Sequence, residues 1–161
     1  MPDGSGLAQT RWQLGVAIGQ IARRWRARLD QRIAPFGLTE ARWLVLLSLA
    51  RRGDGITQGA LAARLRIEAP TLVRTLDWLE AQGFVERRVT PQDRRAKTIH
   101  LTKKAHPVVL RIEEEAAGVR AEILAGIPEE ELALCLAVLQ RVAAGLARVE
   151  EENVHGHRPA E

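Results

Sequence analysis

Apolar residues near the start of the chain recur at three- and four-residue steps. Leu14, Ile18, Ile21, Trp25 and Leu29 form one stripe, which predicts a helix over 7–34. Pro35-Phe36-Gly37 ends it. Thr39 is placed to cap a second helix, 40–52, which is apolar nearly all round through Trp43, Leu44, Leu46, Leu47 and Leu49. Such a helix belongs in the centre of a core. After a Gly53-Asp54-Gly55 turn, Thr57 caps a short helix, 58–64. A break at Arg66-Ile67-Glu68 leads into a helix over 69–82, with Pro70 in its first turn and Gly83 as its stop. Leu72, Leu76 and Leu79, joined by Val73, form the inward face of that helix.

The period then changes to that of a strand. Residues 84–89 and 97–101 predict two strands, with the polar, basic segment 90–96 between them. Thr102 is placed to cap a helix over 103–125. Pro128 and Glu129-Glu130-Glu131 open a last helix to about residue 150, and 151–161 reads as a disordered tail. Two short helices followed directly by a hairpin make a winged helix-turn-helix. The fold class is therefore mainly α with a small β-hairpin. The winged domain, 39–101, lies between an N-terminal helix (1–38) and two C-terminal helices (102–150). The outer helices carry apolar stripes that a domain of this size cannot cover. A homodimer, with both termini forming the dimerisation region, is the economical solution.

Composition narrows the function classes. A chain of 161 residues suits one domain with an appendage. No apolar run approaches bilayer length, and the start lacks the basic and apolar regions of a secretory signal, so no membrane partner is expected. The single cysteine, Cys135, excludes an internal disulfide framework and favours a reducing cytoplasm; it reads as a small buried hydrophobe. The two serines, Ser5 and Ser48, have no His–acid arrangement, and no glycine loop for phosphate appears, so an enzyme is not expected. His155 and His157 make a poor metal site, and no cofactor or metal is implied. Glu113-Glu114-Glu115 reads as a solvated helix face.

Charge divides along the chain. Residues 1–56 carry net +5, residues 57–104 again +5, and residues 105–161 net −6. Acid set apart at one end suggests an anionic partner for the rest, here double-stranded DNA. The helix 69–82 is the candidate reader, with Ala69, Pro70, Thr71, Arg74 and Thr75 facing outward. Small residues at its start admit phosphates and bases to the helix N-terminus. Arg74, one turn in, suits guanine O6 and N7. Thr57 and Gln58, opening the preceding helix, belong to the same surface. Arg94 and Arg95 at the hairpin tip suit a minor groove, with Asp93 pairing to an arginine to hold the wing rigid. Lys97, Arg87 and Arg88 suit phosphates.

The run from Glu68 to Arg88, then Asp93 to Lys97 and Ile99 to Thr102, resembles the MarR family of bacterial regulators, nearest its SlyA branch. The resemblance is specific over about 57–110 and looser through the flanking helices. It implies an obligate homodimer on a pseudo-palindromic operator, with Arg74 in the major groove and the wing arginines in the minor groove. It also implies nucleoid association and release from DNA by a small aromatic carboxylate or phenol. Arg23, Trp25, Arg42 and Trp43 are the candidate effector residues, although the two tryptophans also suit a core. The competing expectation is a helical dimer that binds small aromatic acids or a protein without controlling genes.

Overall fold

The computed structural model describes the backbone of residues 4–89 and 97–156, and the side chains of 6–89 and 97–152. The elements run in the order α1 (Gly4–Ile33), a 3-10 turn (Ala34–Phe36), α2 (Glu40–Arg52), β1 (Ile56–Thr57), α3 (Gln58–Leu65), α4 (Ala69–Ala81), β2 (Val85–Val89), β3 (Lys97–Leu101), α5 (Ala105–Ile123) and α6 (Glu129–Gly156). They divide into two compact units, Met1–Arg120 and Ala121–Glu161.

In the first unit α2 is central, as its composition requires: Trp43 and Val45 through Leu49 are all buried. One cluster joins them to Ile33 of α1, Leu61 of α3, Leu72, Leu76 and Leu79 of α4, Val85 and Ile99 of the sheet, and Ile112 and Val119 of α5. Polar ties fasten the outside. Arg51 meets Glu113 at 3.0 Å and Arg32 meets Glu115 at 3.6 Å, so two of the three acids expected to face only water are paired.

The sheet has three strands, ordered β1-β3-β2 and antiparallel throughout. The sequence pattern marked only the hairpin. The added strand is two residues long, with Ile56 opposite Ile99 and Thr57 opposite Thr98. Gly55 feeds it with φ +76°, and its N–H donates to the Ile99 carbonyl at 2.7 Å. A Cβ there would stand 3.2 Å from His100 Cε1, so both the dihedral and the close approach call for glycine.

Three expected caps differ in detail. Thr57 Oγ1 accepts from the Ala60 N–H at 3.3 Å, as foreseen. Thr39 holds the cap position without a side-chain bond. The Thr102 hydroxyl instead donates to the Gly83 carbonyl at 2.6 Å, and its N–H to the Phe84 carbonyl at 3.0 Å. Thr102 therefore stitches the end of the wing to the end of α4.

The second unit is dominated by α6, which departs from expectation in three ways. It continues to Gly156, because 150–155 contains neither proline nor glycine to stop it. Cys135 is exposed, not buried, and so are Leu134, Leu136 and Leu146. The helix is also long and apolar enough over Glu129–Glu152 to cross a membrane, contrary to the sequence reading. Its acids stand at the two ends, with only Arg141 and Arg148 as charges between them.

Candidate nucleic-acid interface

The helix-turn-helix is set by its turn. Arg66 adopts φ 51°, and its N–H meets the Ala62 and Ala63 carbonyls, which closes α3 and turns the chain. Pro70 then occupies the first turn of α4. Each residue rotates the helix by about 100°, so Leu72, Leu76 and Leu79 define the buried face. Thr75 lies within that arc. It is buried, and its hydroxyl donates to the Thr71 carbonyl at 2.8 Å. It is therefore not available to DNA. Val73 lies outside the arc and is exposed. Apolar character suggested an inward Val73 and polarity an outward Thr75, but angular position decides both. The outward stripe is Ala69, Pro70, Val73, Arg74, Asp77 and Glu80, with Thr71 half-buried beside it.

Two carboxylates on that stripe would repel phosphates. Arg87, on β2, answers both. Its Nη2 meets Asp77 Oδ1 at 2.6 Å, its Nη1 meets Glu80 Oε2, and its backbone N–H donates to Glu80 Oε1 at 3.2 Å. Burial works against the Arg87 charge, but the bonds to Asp77 and Glu80 outweigh it and hold its pKa above the ordinary value. The Arg87 side chain is only 14% exposed. It is thus a brace between wing and α4, and the phosphate contact expected of it is not open to it. Arg88 is exposed and pairs with Glu86. Lys97 is exposed at the start of β3, opposite Val89. Thr57 is exposed and Gln58 half-buried at the start of α3. Asp93, Arg94 and Arg95 lie outside the described residues.

A missed tether sits at the other side of the sheet. Asp54 Oδ2 accepts the Leu101 N–H at 3.1 Å and stands 3.6 Å from His100 Nδ1. The Gly-Asp-Gly run signals a turn, but not that its acid reaches a strand 47 residues away.

The expected effector residues separate. Trp43 is buried, and its Nε1 donates to Asp30 Oδ1 at 3.3 Å. Trp25 and Trp43 line a cleft of about 380 Å³ together with Leu29, Leu44, Leu47 and Ser48. The cationic groups around it are Arg51, Arg52, Arg64 and Arg120. Neither Arg23 nor Arg42 lines it. Arg23 is exposed on α1, and Arg42 stacks over the Trp78 ring at 3.6 Å. The arginines that share the cleft with the tryptophans are not their sequence neighbours, because the cleft is assembled from four helices. The buried Ser48 hydroxyl at its wall has no hydrogen-bond partner among the described residues.

These features define a winged helix-turn-helix protein whose second helix of the motif, α4, is braced by its own wing. Comparison with known proteins agrees. The sequence model of the MarR family matches residues 36–96. The crystal structure of transcriptional regulator PA3341 is 50% identical, over 84% of this chain and 98% of that one, with a TM-score of 0.78. The transcriptional regulator SlyA is 25% identical over 86% and 96%, with a TM-score of 0.75. A cysteine-to-serine mutant of MarR from E. coli, solved in complex with operator DNA, is 25% identical over 81% and 93%, with a TM-score of 0.71. The chain belongs to the MarR family.

Proposed function

We propose that this chain is a homodimeric, sequence-specific transcription regulator of the cytoplasm and nucleoid, with α4 in the major groove and the hairpin segment 89–97 in the minor groove. The observation that carries the reading is the outward stripe of α4. Its first two turns offer small residues and Arg74, and its acids further along are neutralised by Arg87. The relative solved on operator DNA supports it. Arg94 and Arg95 supply the minor-groove charge by their place in the sequence between the two strands.

Dimerisation follows from uncovered apolar surface. Leu7, Trp12, Leu14 and Ile21 are exposed on α1, as are Leu134, Leu136, Leu139 and Leu146 on α6. A second copy covers such faces and sets two α4 helices to read two half-sites. The effector reading rests on the cleft. Tryptophan faces with guanidinium groups around them suit a small aromatic carboxylate or phenol. A panel of hydroxybenzoic acids in a thermal-shift assay tests that part, since a ligand held by the native state alone raises the melting temperature.

The main test is selection of a binding site from random duplexes, followed by gel shift against selected and scrambled DNA. Arg74→Ala is expected to weaken the selected site about ten-fold or more, within the range of one bidentate base contact, and to leave scrambled DNA nearly unchanged. Equal loss on both makes Arg74 a phosphate contact. Failure to select any site overturns the regulator reading and leaves the small-acid cleft as the function to pursue.

A further inference from the structure

The operator's thymines have a reader of their own in this chain. Val73 is the one large apolar side chain exposed on α4 among the described residues. It contributes nothing to the core cluster, which draws on Leu72, Leu76 and Leu79 instead. Helix propensity does not explain it either, since a β-branched residue loses side-chain freedom in a helix and an exposed position is better served by alanine or lysine. Its neighbours locate it. Val73 stands one turn beyond Pro70 and beside Arg74, ahead of the point where Arg87 ties down Asp77 and Glu80. That is the part of α4 left clear for base edges.

The floor of the major groove has one apolar group, the C5-methyl of thymine. Val73 is matched to it in chemistry and stiffness. Its single favoured rotamer on a helix presents two methyl groups without ordering a flexible chain on contact. One helical turn rises about 5.4 Å, and stacked bases lie about 3.4 Å apart along a strand. Side chains at adjacent positions in one turn therefore reach base pairs that are neighbours or nearly so. Resting on the DNA-binding reading above, we propose that Val73 is a specificity-determining residue that packs against a thymine methyl within one or two base pairs of the guanine taken by Arg74.

The test uses the full chain and its selected site. Each thymine in a half-site is replaced singly by deoxyuridine, which removes the methyl group and keeps every hydrogen bond. The wild-type protein is expected to lose about four-fold in affinity at one thymine per half-site, the loss that one buried methyl-sized group carries. In Val73→Ala that penalty falls to nearly nothing, while penalties elsewhere persist, because the two changes remove the same contact. Val73 is on the surface, so the variant is expected to melt with the wild type, and the deoxyuridine series on wild-type protein reads the contact without any substitution. A selected site that binds equally well with every thymine replaced overturns this proposal alone. So does a penalty that stays undiminished in Val73→Ala. Failure to select a site overturns the DNA-binding reading, and this one with it.

Discussion

Arg87 acts on two carboxylates at once, and its guanidinium is already engaged by them. Removing its charge leaves Asp77 and Glu80 unneutralised on the outward stripe of α4, which under the proposed docking faces DNA phosphates. Arg87→Met is expected to cost about 1 kcal/mol of stability, read from urea unfolding, because water takes over both freed acids, 59% and 42% exposed. DNA affinity should fall more than stability accounts for. Adding Asp77→Asn and Glu80→Gln to that variant is expected to restore binding, because the repulsion goes with the acids. Gel shift of the two variants on one duplex decides it: no recovery in the triple variant means that Arg87 acts only by packing.

Elements hold one another through single side chains at their ends. The short strand β1 has two residues and cannot stand without help. Asp54 supplies that help by accepting the Leu101 N–H of the central strand. Asp54→Ala is expected to destabilise the first unit by about 1 kcal/mol, the net worth of one such bond. It should also raise amide exchange at Leu101 and Ile56 ahead of the α2 core, which hydrogen exchange measures residue by residue. Uniform exchange across the unit would mean that the tether is dispensable. Much at this scale was legible in the sequence. Periodicity located α2, α3, α4 and both long strands within a few residues, because each has a strong pattern and a marked end. β1 was not legible: two residues are too few to show a period, and their pairing depends on a strand more than 40 residues on.

At the scale of the whole molecule, the proposed dimer rests on α6. Alone, α6 leaves Leu134, Leu136 and Leu146 more than half exposed to water. Leu136→Glu is expected to shift the chain from dimer to monomer in sedimentation velocity, with helical content retained. Operator affinity should fall by more than ten-fold, since two linked half-sites become two independent ones. A wild-type protein that sediments as a monomer at every concentration would remove the basis for a paired reading of DNA. Under that proposal the same surface accounts for the apolar length of α6, which matches that of a membrane span. A face meant for another protein and a face meant for lipid use the same residues, and composition does not separate them.

The order of elements, the central place of α2, helix α4 with its exposed Arg74 and the family signature are set by local pattern, and local pattern is written in neighbouring residues. Other features depend on residues far apart in the chain and on the exact angle of each side chain. Val73 faces out and Thr75 in because of a rotation of about 100° per residue, whatever their polarity. Arg87 is spent on α4 because β2 returns beside it, and the tryptophan cleft takes its arginines from α2, α3 and α5. Packing brought those groups together, and packing alone could assign them.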